Sequence, residues 1–213
     1  MTRVRENMVG VVILVIALVG MGVMYHKGVI AGRRVQVQTA EAADTREDRI
    51  MAIVTERNPD APIKAFAGFA RAVLAESQRA GIDYRLILAI IEKESDFHHR
   101  VVSSAGAIGI MQVMPGTAAL MAKSLQLADY DPPKRYGYNT QGRLDGHCGS
   151  LCDPKVNVKL GVEYLRLQVL KYGVGPVALQ GYNRAPHQAK EYWPRDRYAA
   201  DVALAYLRLT HRP

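Results

Sequence analysis

The chain lacks most of the devices by which a sequence announces a cofactor or a nucleic-acid partner. Its 213 residues contain two cysteines, too few for a disulfide-rich scaffold or a four-cysteine zinc cluster. No glycine-rich stretch carries the lysine of a phosphate-binding loop at the right spacing. There is no internal repeat and no low-complexity tract. The formal charge is +8, of which +6 lies from residue 59 onward. The basic residues are nevertheless scattered, as on a solvated face, and no motif that reads nucleic acid accompanies them. His98 and His99 are adjacent, and His147 stands next to Cys148. Neighbouring histidines do not readily share an ion from a regular helix, and one histidine beside two cysteines leaves a zinc site short of a ligand. No metal and no cofactor are expected.

Charge is also missing from one long stretch near the start. Residues 8–25 are apolar apart from glycines and the hydroxyl of Tyr25. At a helical rise of 1.5 Å they would reach roughly 27 Å, enough to span a bilayer core. A cleaved signal peptide would have a shorter apolar core and a small-x-small site directly after it. The first such site, Ala40-Glu41-Ala42, comes well beyond Tyr25, so residues 1–32 are expected to form a retained signal anchor. Arg3 and Arg5 precede the stretch while Lys27, Arg33 and Arg34 follow it, which leaves orientation open on charge alone. Residues 33–61 are expected to be a polar tether, with a short amphipathic helix over 46–57 and a boundary at Asn58-Pro59-Asp60-Ala61-Pro62.

The remainder, 62–213, suits one mainly α-helical domain with a core of its own. Ile63, Phe66, Ala67, Ala70, Val73 and Leu74 recur at helical spacing over 62–80 and stop at Gly81. Further helices are expected over 83–94, 113–127, 154–172, 176–182 and 197–209. Asp153-Pro154 has the form of an N-cap and first helical residue, and Gly173 of a C-terminal stop. Residues 129–153 form an insertion rich in Pro, Gly, Tyr and charge that holds both cysteines. In an oxidising compartment Cys148 and Cys152 pair locally; free thiols are the alternative. Trp193 is a packing or a groove-rim residue.

Glu94 is the candidate for chemistry. It falls in the last turn of an apolar helix capped by Asp83, where the helix dipole disfavours a negative charge. Ile90, Ile91 and Phe97 add desolvation, and both effects raise a carboxyl pKa toward the range of a general acid. Glu92 points about 200° away around the helix and is assigned to the surface. A run from Ser103 to Pro115 follows, in which Gly106 and Gly109 allow backbone to approach a ligand. Gln112 supplies a donor and an acceptor suited to sugar hydroxyls or an N-acetyl group, and Met114 a soft apolar surface.

Glu94-Ser95-x-Phe97 and the run Ser103-x-Ala105-Gly106-Ala107-x-Gly109-x-Met111-Gln112-x-Met114-Pro115 closely resemble the catalytic segment of the soluble-type (SLT) lytic transglycosylases. Asn157-x-x-x-Gly161-x-x-Tyr164-Leu165, Gly181-Tyr182-Asn183 and a closing helix with Tyr198 and Val202 resemble later motifs of that family, in order. The resemblance covers about 64–209. It implies a goose-type lysozyme-like helical catalytic domain, here behind an N-terminal transmembrane helix, that cuts the β-1,4 bond between N-acetylmuramic acid and N-acetylglucosamine in peptidoglycan. It further implies that no water is used, that a 1,6-anhydro ring is left on the muramic acid, and that Glu94 acts as acid and then as base. Ser103 and Tyr182 match positions near that Glu, while Gln112, Met114 and Asn183 match cleft-lining positions. The usual Ala-Gly after the Tyr-Asn pair is Arg184-Ala185 here, which puts either a contact for a stem-peptide carboxylate or a surface cation at the groove.

A hydrolase of the ordinary kind needs a second carboxylate roughly 5–9.5 Å from the first. Asp96 is too close along the chain to serve, and Asp145, Asp153 and Glu163 would have to fold back to reach Glu94. The single-acid lyase is therefore the expectation. A water-using muramidase and a wall-binding scaffold subunit of a secretion or conjugation machine remain as alternatives. Because peptidoglycan lies outside the cytoplasmic membrane, the N-terminus is placed inside and the domain in the periplasm. There a basic face would be drawn to anionic wall peptides.

Overall fold

Six consecutive residues, Leu86 to Ile91, are all buried, and the rest of the chain is arranged around them. A helix that is apolar on every side has to be central. The structure is a computed structural model, and it describes residues 38–138, 144–184 and 197–211. The helices are α1 (Gln38–Arg57), α2 (Phe69–Ala80), α3 (Tyr84–Ser95), α4 (Pro115–Ser124), α5 (Pro154–Tyr172), α6 (Pro176–Asn183) and α7 (Arg197–Thr210). The buried centre is α3. It packs most extensively on α7, while α2 lies along α5 and α6 bridges α5 to α7. Phe66, Phe69, Phe97, Ile108, Ile110, Met111, Leu151, Leu165 and Val202 complete one continuous core with it.

The expected helix over 62–80 begins later than its apolar spacing indicates. Gly68 takes φ +74, which breaks the helical run, and residues 63–68 are turns. Ile63 is left 86% exposed, although Phe66 remains buried. By contrast α5 starts and stops where expected. The Asp153 side chain accepts a hydrogen bond from Lys155 N, Pro154 occupies the first turn, and Gly173 ends the helix.

The polar-tether assignment of 33–61 is corrected over its second half. Ile50, Ile53 and Val54 are buried in the same core as α3. Their i, i+3, i+4 spacing makes a narrow apolar stripe, and that stripe suffices because the helix docks on an existing surface rather than building a core of its own. Thus α1 is part of the domain.

The insertion carries a hairpin that its composition did not indicate. Strands β1 (Lys134–Tyr138) and β2 (Leu144–His147) pair antiparallel. A single 3-10 turn (Gly149–Cys152) then leads into α5. Its base is tied down, because Ser150 N donates to Asp131 O at 2.8 Å and Asp131 N donates to Ser150 Oγ at 2.9 Å. His147 pairs with Asp131, Cys148 is joined to Cys152 by a disulfide, and Leu151 is inserted in the core. Among the described residues no helix is long and apolar enough to cross a membrane. The apolar stretch 8–25, the anchor assigned to 1–32 and Trp193 all lie outside the described residues.

Membership of α1 in the core has a measurable consequence. Ile50→Ala should lower the unfolding free energy by about 2–5 kcal/mol in a urea titration. A free tether would show no change.

Candidate active site

The acid is delivered by a helix whose two ends are both fixed. At the start of α3 the Asp83 carboxylate accepts from Arg85 N at 2.9 Å, pairs with the Arg85 guanidinium and accepts from Tyr206 Oη at 3.1 Å. At the other end Asp96 and Phe97 adopt φ of +46 and +63. Two successive left-handed residues that are not glycine cost roughly 1–2 kcal/mol each, so neighbouring contacts must hold them. Phe97 is fully buried. Arg57 Nε reaches Asp96 Oδ1 at 2.9 Å, and Asn58 Nδ2 donates to Phe97 O at 3.1 Å. Ser95, also buried, donates from Oγ to Ile110 O at 2.7 Å and so ties the last turn to the glycine-rich run.

Glu94 sits within this last turn. Burial pushes its carboxyl up to about 7, against opposing effects of a hydrogen bond from Tyr198 and the charge of Lys93. The Tyr198 phenol donates to Glu94 Oε1 at 2.6 Å. A carboxylic acid that still holds its proton near neutrality is what proton donation requires.

The glycine-rich run is moulded around one side chain. Asn157 is fully buried; its Oδ1 accepts from Met111 N at 2.8 Å, and its Nδ2 donates to Ile108 O and Leu151 O, both at 2.9 Å. Gly109, at φ +83, lies so close that a Cβ would stand 2.3 Å from Asn157 Nδ2. The turn before it is closed by Ser103, whose Oγ accepts from Ala107 N at 3.0 Å. Gln112, itself at φ +49, donates from Nε2 to Val101 O and Gly109 O. Tyr182 Oη donates to Met111 O at 2.8 Å.

Four of the candidate residues meet in one place. Gln112, Met114, Tyr182 and Asn183 line a cleft of about 280 Å³ together with Val113, Thr117, Tyr164 and Arg184. Tyr182 links that cleft to the acid: its phenol is held well above its usual range by burial first and by the nearby Glu94 charge second. Ser103 does not line the cleft; its hydroxyl is engaged with the turn it closes. Two residues absent from the sequence-based candidates belong to the site. Ser95 was visible only as the neighbour of Glu94, and Tyr198 only as a member of the closing helix.

Four other carboxylates among the described residues are committed elsewhere. Glu92 is not a free surface residue, because it takes Arg57 Nη2 at 2.9 Å and also pairs with Arg208. Glu163 is buried between Arg79 at 2.8 Å and Arg166 at 2.7 Å. The hydrogen bond from Arg166, then that from Arg79, holds its carboxyl below the usual range despite burial. Asp153 caps α5, and Asp96 faces Arg57. The Asp145 side chain lies outside the description. Among the described residues no cluster of three or more His, Cys, Asp or Glu could hold a metal ion.

Residues 71–202 match the family model described as the transglycosylase SLT domain. A soluble lytic murein transglycosylase of Salmonella typhimurium is 30% identical over 106 residues, which are 49% of this chain and 14% of that protein. A membrane-bound lytic murein transglycosylase C of Histophilus somni is 38% identical over 94 residues, 44% of this chain and 22% of that protein. The chain thus matches a minor part of the length of these curated relatives. A 70-kDa soluble lytic transglycosylase solved with bulgecin A superimposes with a TM-score of 0.50 at 22% identity, over 75% of this chain and 26% of that one. That likeness establishes a shared helical fold.

Two expectations follow from the site. In the unfolded chain Glu94 ionises near 4.5, in the folded chain near 7, so the folded state holds the proton more tightly. Its stability contribution is complete below about pH 4.5 and is lost as pH rises through about 7, a change of roughly 3 kcal/mol. The melting temperature of Glu94→Gln should therefore climb above that of the parent chain across this window and level off beyond it. Asn157→Leu removes the side-chain partner of Met111 N and of Leu151 O, at about 1–3 kcal/mol each, and leaves Ile108 O with its bond from Val113 N. Chemical denaturation should register a loss larger than that of any single bond.

Proposed function

The chain belongs to the transglycosylase SLT domain family, and from that premise we propose that it is a lytic transglycosylase acting on peptidoglycan glycan strands, with Glu94 as its acid. The observation that carries this reading is a Glu94 carboxyl raised by burial to about 7 and linked through Tyr182 to a cleft suited to a sugar chain. Gln112, Asn183 and Arg184 offer polar groups there, and Met114 and Tyr164 offer apolar faces. Such a mixture fits pyranose rings, which are apolar on their faces and polar at their rims.

Glu94 first gives its proton to the glycosidic oxygen as the bond to the muramic acid C1 breaks. The resulting carboxylate then removes the proton of the C6 hydroxyl, whose oxygen closes on C1 to form the 1,6-anhydro ring. One proton leaves Glu94 and one returns, so a single carboxyl completes the cycle without water. The commitment of Glu92, Asp96, Asp153 and Glu163 to other partners favours this route over one that needs a second carboxylate. Tyr198 stabilises the carboxylate that exists between the two steps, since its hydrogen bond favours the charged form.

We place the domain in the periplasm, held at the cytoplasmic membrane by residues 1–32. The apolar stretch 8–25 and the membrane-bound relative support that placement. A secretion or conjugation apparatus that must pass the wall is the kind of partner such an enzyme would serve.

The test is mass spectrometry of fragments released from purified peptidoglycan by the full chain and by Glu94→Gln. The parent chain should release anhydro-muropeptides and the variant should release none. Reducing-end products would transfer the assignment to a hydrolase, and wall binding without any soluble product to a scaffold.

A further inference from the structure

The residues that follow Glu94 are strained, and what holds them comes from outside the catalytic helix. Asp96 and Phe97 are consecutive left-handed residues, two and three positions beyond the acid. Arg57, the last residue of α1, spans this turn: Nη2 meets Glu92 Oε1 and Nε meets Asp96 Oδ1, each at 2.9 Å. Asn58, 5% exposed, donates to Phe97 O at 3.1 Å. Arg208 of α7 joins Arg57 on Glu92. The same α7 carries Tyr198, the hydrogen-bond partner of Glu94. The contacts of Arg57 and Asn58 therefore bracket Glu94, with Glu92 before it and Asp96 and Phe97 after it in the chain.

We propose that Arg57 and Asn58 are positioning residues for Glu94, so that docking of α1 on the last turn of α3 sets the geometry of the acid. This rests on the reading of Glu94 as the proton donor. The pair Arg57–Asp96 is half-exposed and contributes little by itself. Glu92 is different: its side chain is 9% exposed, and a shielded carboxylate that loses one of two guanidinium partners moves toward water. Glu92 and Glu94 share one helical turn, so that movement is passed to the acid. A displacement of about 1 Å at a reacting group is enough to cost a large factor in rate.

The test compares the full chain, solubilised in detergent, with Arg57→Met, Arg57→Lys, Asn58→Ala and Val73→Ala, on soluble peptidoglycan fragments. Val73 is fully buried in α2 and serves as a control for lost stability. Arg57→Met should lower kcat about tenfold, or about 1.4 kcal/mol, with KM within about twofold, and Arg57→Lys should recover part of it. Val73→Ala should lose melting temperature and keep kcat. An unchanged kcat in Arg57→Met, or a kcat in Val73→Ala that falls in step with its melting temperature, overturns the proposal.

A second readout needs no turnover. The midpoint of the pH-dependent stability difference between chains with and without Glu94→Gln reports the titration of Glu94. The groups that face this carboxyl are the phenols of Tyr198 and Tyr182 and, on its own helix, Lys93. Asn58→Ala changes no charge, yet it frees the strained turn and admits water, so the midpoint should move down. If Glu94→Gln proves as active as the parent chain, the acid assignment fails and this midpoint alone decides the positioning role. An unmoved midpoint then refutes it.

Discussion

A single buried amide is the constraint on which the site depends. Asn157 accepts one hydrogen bond from Met111 N and donates two, to Ile108 O in the same distant run and to Leu151 O just ahead of α5. An irregular loop inside a protein is tolerable only when its backbone groups are paired. The run 103–114 makes few bonds of the regular kind, with two isolated bridges at Ile108. Aspartate would lack the two donors and leucine would satisfy nothing. Gly109 leaves room for the amide, and Gly161, one turn along α5, leaves room for Met111, whose Sδ would lie 2.6 Å from an added Cβ. Met111 in turn offers the carbonyl that Tyr182 uses. Three sequence motifs are thus one connected object: the Asn157 amide shapes the run from Ser103 to Pro115, and that run anchors Tyr182 of Gly181-Tyr182-Asn183 through the Met111 carbonyl.

The acid and the scaffold make opposite demands at the same place. A proton donor needs burial, a helix C-terminus and few cations nearby, all of which oppose an ionised carboxylate. The helix must also stop abruptly so that the loop can return past it. Here it stops through two left-handed residues instead of a glycine. Side chains at those positions can be used. Phe97 fills the core, and Asp96 receives Arg57. The strain of the turn is met by contacts from α1, which explains why a helix with so thin an apolar stripe is part of the domain.

Much of this was readable from the residues, and what was missed has a common cause. Elements fixed by local chemistry were placed well: α5 is bounded by Asp153-Pro154 and Gly173 because caps act over four residues. The elevated Glu94 followed from its helical position and its apolar neighbours. The errors lie where the outcome is set by a distant partner. Docking of α1 needs a surface built by α2 and α3, and the helix-breaking φ of Gly68 cannot be told from an ordinary glycine. The β1–β2 hairpin has weak alternation, and Asp131 with Ser150 closes its base from either side. Ser95 and Tyr198 show their roles only when Ile110 and Glu94 are beside them.

Glu163 makes plain why burial by itself does not produce an acid. It is 1% exposed, yet its carboxyl lies below the ordinary range because Arg166 and Arg79 grip it. Glu94 lies above that range because burial outweighs the opposing hydrogen bond of a neutral phenol and the charge of Lys93. Cations are not scarce around the last turn of α3. Arg57 and Arg208 are drawn to Glu92, Arg57 also to Asp96, and Lys93 to Asp201 at 2.7 Å. Lys93 lowers the Glu94 carboxyl through its charge even so, and burial outweighs it. Among the described residues the hydrogen bond on Glu94 comes from a phenol while those on Glu163 come from guanidinium groups, and that difference in partner sets the two buried carboxyls apart.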